Sequence, residues 1–266
     1  MIGTETAFIL SGEELYLLSA ITGGETLIGV QDPFIGWLTE EIVEKLESVR
    51  GDLHARGYVV VRDTGAAVEP SLAPLITALT VPHIAVMVTL HHPGHDLEER
   101  AYHVGHASTV KLSQSGQHYQ LEPMTESAIA ADICNWWGLH DQIAAPGVPF
   151  RLEQSTLLAA RDAAGDAAAA AALLSEVGAP AETAASFASA LHDPQTNGSL
   201  AAMRRGAAGW DVRGVAILES AATLWRLRAF QHHDAPWVEV APESAAGLTQ
   251  RVERLLQHTI SAADNV

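Results

Sequence analysis

The feature of this sequence that most limits its possible folds is a strand–proline–helix unit that occurs twice. The first copy begins at His118 as His-Tyr-Gln-Leu-Glu-Pro-Met, and the second begins at Trp237 as Trp-Val-Glu-Val-Ala-Pro-Glu. Their prolines, Pro123 and Pro242, lie 119 residues apart. Alternating apolar residues precede each proline, as in a half-buried strand, and an apolar stripe of helical spacing follows it. The stripes match at the same offset: Ile129 with Leu248, Ile133 with Val252, and Trp136-Trp137 with Leu255-Leu256.

Predicted strands and helices are grouped rather than alternating, which favours the α+β class with antiparallel sheets. Each half places alternating strands before the repeated unit and helices further upstream. The segment Pro146-Gly147-Val148-Pro149 breaks the chain near its middle. The predicted strands cover residues 84–90, 102–106, 109–114 and 118–122 in the first half, and 212–218, 224–230 and 237–240 in the second.

We therefore predict an α+β fold with a quasi-twofold internal repeat and two antiparallel β-sheets, each packed with helices. The N-terminal half spans residues 1–145 and the C-terminal half spans residues 146–266, as subdomains of one compact protein. The Trp136-Trp137 pair in the first stripe is expected in the core, and an exposed anchor for a partner is the alternative.

Charge and cysteine content narrow the function classes. The formal net charge is −17, from 15 basic and 32 acidic residues, so most of the surface repels nucleic acid and anionic membrane. We predict neither a nucleic-acid partner nor membrane insertion. The chain has one cysteine, Cys134, and its first 18 residues lack the basic segment of a signal peptide. These features predict a cytoplasmic protein.

Several segments resemble the EspG family, the cytosolic chaperones of actinobacterial type VII secretion. In the first half these are Leu53-His-Ala-Arg-Gly-Tyr and Val68-Glu-Pro-Ser-Leu-Ala-Pro-Leu-Ile. In the second half they are Gly214-Val-Ala-Ile-Leu-Glu, Trp225-Arg-Leu and the segment that begins at Trp237. The resemblance extends over most of the chain. It departs at Glu219-Ser-Ala-Ala-Thr, where family members often carry an Asp-Thr and a Gly-Arg pair.

The resemblance implies a non-enzymatic chaperone or adaptor without a cofactor. Its expected partner is a helical secreted protein of the PE–PPE or WXG type, and a homodimer is a further possible state. The connection between the first two strands of the first sheet, Pro93 to Arg100, is the expected client contact, and the C-terminal sheet is a second candidate. The predicted partner-binding residues are His95, Asp96, Leu97, Glu98, Glu99 and Arg100.

A histidine cluster between His91 and His106 supports an alternative, a metal-dependent hydrolase. Its candidate ligands are His91, His95, Asp96 and His103, because imidazole and carboxylate groups bind zinc, iron or nickel. The cluster lacks standard metal-binding spacings, and adjacent residues on a strand point to opposite faces. A loop of solvated histidines is therefore the preferred interpretation. A third alternative is a scaffold whose repeat serves only to form a dimer.

Overall fold

The computed structural model describes residues 7–24, 27–62, 65–138, 147–207, 209–221 and 223–261. The elements of the N-terminal half are β1 (Phe8–Ser11), α1 (Gly12–Ile21), α2 (Thr39–Ala55), β2 (Val59–Arg62), β3 (Gly65–Val68), α3 (Ala73–Thr80), β4 (Ile84–His91), β5 (Glu98–Val104), β6 (Thr109–Ser115), β7 (His118–Met124) and α4 (Ile129–Trp137). Those of the C-terminal half are β8 (Phe150–Glu153), α5 (Gln154–Asp162), α6 (Ala167–Glu176), α7 (Ala181–His192), β9 (Thr196–Gly206), β10 (Gly209–Glu219), β11 (Leu224–His232), β12 (Ala235–Glu243) and α8 (Ala245–Ser261).

Ten of these strands form one antiparallel sheet in the order β1-β7-β6-β5-β4-β9-β10-β11-β12-β8. The two halves meet at β4 and β9, which pair from Ile84 opposite Arg204 to His91 opposite Asn197. The α+β class is thus confirmed, but the prediction of two separate sheets is wrong. The reason is that β4 is central and needs backbone partners on both edges, and β9, a strand not predicted from the sequence, supplies the second one. The remaining strands, β2 and β3, form a separate hairpin.

The strand order has the same pattern on both sides of the β4–β9 junction. Each half contributes a four-stranded meander, β4 to β7 or β9 to β12. A short strand from earlier in the same half, β1 or β8, then forms the outer edge. A helix follows each meander, and these two helices, α4 and α8, contact each other.

The two faces of the sheet are covered differently. On one face, α4 and α8 pack over both halves and bury a shared core that includes Val88, Ile133, Leu200 and Val252. On the other face, two helix groups pack separately. The group α1–α3 covers the N-terminal strands, and the group α5–α7 covers the C-terminal strands, around Phe187 and Trp225. The sheet surface near β4, β9 and β10 therefore lies between the two helix groups.

Local signals in the sequence explain several boundaries. At the start of α1, the Ser11 hydroxyl accepts a hydrogen bond from the Glu14 amide at 3.2 Å, and the Glu14 carboxylate accepts one from the Ser11 amide at 2.8 Å. This reciprocal pair is a capping box. Helix α2 begins at Thr39, and its N-cap is Leu38. The Glu41 carboxylate accepts a hydrogen bond from the Leu38 amide at 2.9 Å, which satisfies the backbone at that end.

Candidate functional site

The β4–β5 connection forms an exposed loop at one end of the sheet centre. The strand pair ends with Leu90 opposite Glu98. Between them the chain turns at Gly94, whose φ of +80° is a conformation that glycine adopts without strain. The His95 amide donates a hydrogen bond to the His92 carbonyl at 3.0 Å. The His92 ring lies 3.2 Å from the Thr196 hydroxyl, which ties the base of the loop to β9.

An apolar groove of about 320 Å³ lies beside this loop, between the two helix groups. Leu97, which is 55% exposed, forms one wall. The floor consists of small side chains from three adjacent strands, including Thr89, Ser199 and Ala216. The opposite wall is formed by leucines of α5 and α7, with Arg161 beside them: Leu157, Leu158 and Leu191.

The groove forms because the strands at the sheet centre carry small side chains on this face, whereas larger side chains lie on both sides of the groove. The Thr89 and Ser199 hydroxyls lie 2.7 Å apart and hydrogen-bond across the β4–β9 junction, so both polar groups are satisfied on the floor. Behind the floor, the Trp137 indole donates a hydrogen bond to the Thr89 carbonyl at 3.2 Å. A Cβ atom at Gly198 would lie 3.0 Å from the Trp137 ring nitrogen, so only glycine allows this close packing.

The comparisons with known proteins decide the family. The model of the EspG family matches residues 35–254, which include most of both halves. This chain belongs to the EspG family. The membership predicted from the sequence is thereby confirmed.

A solved structure supports the same fold for this EspG-family chain. The Mycobacterium tuberculosis type VII secretion system chaperone EspG5, solved in complex with a PE25–PPE41 dimer, aligns with a TM-score of 0.68. The alignment covers 95% of this chain and 96% of that chain, with 16% sequence identity. At that identity the likeness concerns the fold. No curated protein matches the chain significantly.

The six residues expected to bind a partner in this EspG-family protein do not share one surface. His95, Asp96 and Leu97 lie in the loop, and the other three begin β5. Side chains alternate along a strand, so Glu99, which lies opposite Thr89, shares the groove side of the sheet with Leu97. Glu98 and Arg100 belong to the face that α4 covers.

Arg100 contacts α4 instead of the groove. Its guanidinium lies 4.3 Å from the centroid of the Trp136 ring and 3.5 Å from the Asp132 carboxylate. The same carboxylate accepts a hydrogen bond from the Tyr102 hydroxyl at 2.7 Å and lies 3.5 Å from the Lys111 ammonium. Burial and the neighbouring Asp132 charge raise the pKa of the Tyr102 hydroxyl. Arg100 is therefore held in a polar network on the face opposite Leu97.

The histidines proposed as metal ligands are spread along the sheet. His91 lines the groove and His95 lies in the loop, whereas His103 is opposite Ala85, six residues from His91 along β4. At about 3.3 Å per residue, this separation along the strands is about 20 Å. Across the parts of the chain that the structure describes, no three His, Cys, Asp or Glu side chains form a group that could hold a metal ion.

His103 has a structural environment rather than a ligand-like one. Its side chain is completely buried, and neither ring nitrogen has a hydrogen-bond partner. Burial lowers the pKa of His103 to about 4, because charging the ring would require transferring a cation into the core. His103 is therefore a neutral core residue at neutral pH.

Within the described ranges, no helix combines the length and apolar character needed to span a membrane.

Proposed function

We propose that this chain is a non-enzymatic, cytosolic type VII secretion chaperone that binds a helical PE–PPE-like client in the apolar groove beside the β4–β5 loop. The observation that carries this proposal is the apolar groove between the exposed side chains of Leu97 and Leu158. Membership of the EspG family supports the chaperone role. The matching EspG5 structure, solved with a PE25–PPE41 dimer, supports the class of client.

The groove suits the end of a helical protein. Apolar side chains of a client helix would enter between Leu97 and the α5 leucines, as in helix-in-groove recognition, and a few buried anchors would carry most of the affinity. The exposed carboxylates of Asp96 and Glu99 lie at or beside the rim on the Leu97 side, where they would favour basic client residues. The remaining acidic surface would keep the complex soluble.

We also propose that residues 1–145 and 146–266 are two copies of one unit that now share a single sheet. The matching strand order on both sides of the β4–β9 junction supports this proposal. Since α4 and α8 pack in one core with that junction, both halves should lose protection together in native-state hydrogen exchange. Independent opening of one half would contradict the shared-core arrangement.

The function is tested by co-expressing the chain with PE–PPE-type pairs from the same genome and measuring co-purification. Wild-type protein should retain one pair, and Leu97→Asp should lose it, because a charge would enter the apolar contact. Val43→Asp on α2 is a matched control, since Val43 is 53% exposed and lies away from the groove. Retention of no pair by the wild type would contradict the client class. Equal loss in both variants would contradict the groove.

A further inference from the structure

One edge of β10 is open in the middle of the sheet. Strand β10 pairs with β9 along its whole length, from Gly209 to Glu219. Its ladder with β11 covers only the last four residues, Ala216 to Glu219. Among the described residues, Gly209 to Val215 thus have no partner strand on the β11 side, and Gly209 to Gly214 are all exposed. Such an edge is a template for pairing with another chain.

The side chains on this edge favour pairing rather than prevent it. Exposed edges are usually protected by charges, prolines or bulges. Here Trp210 is 40% exposed and Val212 is 56% exposed, and both lie on the same side of the strand. Aromatic and β-branched residues are the types that stabilise cross-strand contacts most.

We propose that a second copy of this chain pairs with β10 in antiparallel register about a twofold axis at Val212. In this register each Asp211 lies directly opposite Arg213 of the other copy, so two ion pairs form. Val212 contacts Val212 across the axis. The edge is thus complementary to itself in charge as well as in shape, as an interface between identical subunits requires.

The same register places Trp210 opposite Gly214 of the second copy. Within the hairpin, a Cβ atom at Gly214 would lie 2.9 Å from the Leu200 carbonyl oxygen, which explains the glycine at this position. An indole ring can cover the backbone that such a glycine leaves bare, an arrangement known to stabilise strands next to an edge glycine.

The shape of the hairpin allows the approach. The hairpin strands end at Gly206 and Gly209, and the sequence from 206 to 209 is Gly-Ala-Ala-Gly, which contains only small residues. When two copies pair in this register, the hairpin tip of one copy would lie beside the end of the β10–β11 ladder of the other copy. Pairing of seven residues per copy buries less than the roughly 1,200 Å² that stable interfaces require, so the dimer should be reversible and concentration-dependent.

Most of this interface lies away from the proposed client groove. Arg204, at the hairpin end of β9, pairs with Ile84 at the start of β4, whereas the groove extends to Thr89 and His91 at the other end. The two surfaces come closest at Ala216, which directly follows the paired segment and lines the groove. The β10 edge also provides a surface for the homodimer that the sequence analysis gave as a further possible state.

The register is tested with two charge reversals and sedimentation velocity over a dilution series. Wild-type protein should dimerise with increasing concentration. Asp211→Arg alone would place two arginines opposite each other at both pairs, and Arg213→Asp alone would do the same with two acidic groups. Each variant alone should dimerise at least about tenfold more weakly. An equimolar mixture should recover wild-type affinity, because both cross-pairs then have opposite charges.

Two control variants test whether any gain in dimerisation on mixing comes from general charge attraction between the proteins. Glu176→Arg and Arg50→Asp make the same charge changes at exposed helix positions away from β10. Each of these should dimerise like the wild type, and mixing them should add nothing. A wild type that stays monomeric at the highest concentration would overturn the proposal. Single β10 variants that dimerise normally, or a control mixture that gains as much as the β10 mixture, would also overturn it.

Discussion

The two strand pairs next to the sheet centre, β4–β5 and β9–β10, occupy the same position in their meanders but end in different ways. The β4–β5 pair ends at Leu90 and Glu98 and leaves an exposed loop with an apolar side chain above a groove. The β9–β10 pair continues until Gly206 lies opposite Gly209. One connection thus creates a concave apolar site, whereas the other extends a flat strand edge.

The balance of acidic and basic residues also differs between the two halves of the chain. Residues 1–145 contain 19 acidic and 6 basic residues, and residues 146–266 contain 13 acidic and 9 basic residues. The loop rim is acidic, whereas β10 carries an acidic and a basic residue two positions apart. Under the two proposals above, one topology would serve two kinds of contact: a client helix at one end of the sheet and an identical chain at the other.

The largest expected effect concerns the junction that both regions share. Trp137→Ala should lower the free energy of unfolding by about 3–5 kcal/mol, because a buried indole and its hydrogen bond to Thr89 are lost at the β4–β9 junction. Urea denaturation measures this change. Trp136→Ala is the matched control, since Trp136 is only partly buried and stacks on Arg100. Equal losses in both variants would contradict the special role of Trp137.

The second prediction concerns how folding stability depends on pH. It compares a buried histidine of the N-terminal core with an exposed histidine of the β4–β5 loop. The pKa of folded His103, about 4, lies below the ordinary value of 6.5, so the unfolded chain binds a proton more readily. The His103 contribution to stability is therefore complete above pH 6.5 and is lost as the pH falls towards 4, by up to about 3 kcal/mol. His103→Leu should remove this part of the pH dependence, measured by thermal unfolding between pH 4 and 7.

His95→Leu is the control for that series, because His95 is exposed in the β4–β5 loop. This variant should keep the pH dependence of the wild type. A His103→Leu protein whose stability still falls with the wild-type slope would show that other groups dominate the acid response.

The third prediction concerns a substitution on the groove floor that would fill the groove. Ala216→Phe should weaken client binding by about ten- to a hundredfold, because the ring would occupy the space between the two walls. Ala229→Phe adds the same ring at an exposed position of β11 and should leave binding unchanged. Affinity is measured by titration of a retained PE–PPE-type pair. Unchanged affinity for Ala216→Phe would mean that the client binds elsewhere, for example at β11 and β12.

The smallest effect concerns the stability of the monomer when the β10 charges change. Asp211 lies 3.6 Å from Arg213 and 3.8 Å from Arg204 at an exposed site. Surface ion pairs of this kind contribute about 0–1 kcal/mol, so Asp211→Arg and Arg213→Asp should change the unfolding free energy by no more than that. A larger loss would mean that weaker dimerisation reflects an altered hairpin.

The sequence by itself determined the parts of this protein that depend on local chemistry and on strong periodicity. The Ser11–Glu14 capping box, the mostly apolar β4, and the two strand–proline–helix units could all be recognised, because neighbouring residues define them. The second of these units, which begins at Trp237, also supported the EspG resemblance. Local patterns also predicted the β4–β5 loop, although not the division of its residues between two faces.

Only the tertiary structure decided how these parts join. Strand β9 contains Gly198, Ala201 and Ala202, which have weak strand preference, and it becomes a strand because β4 requires a second partner. That pairing merges the two expected sheets and places small residues from both halves on the groove floor. These features depend on contacts between residues about a hundred positions apart, and local patterns carry no information about such contacts.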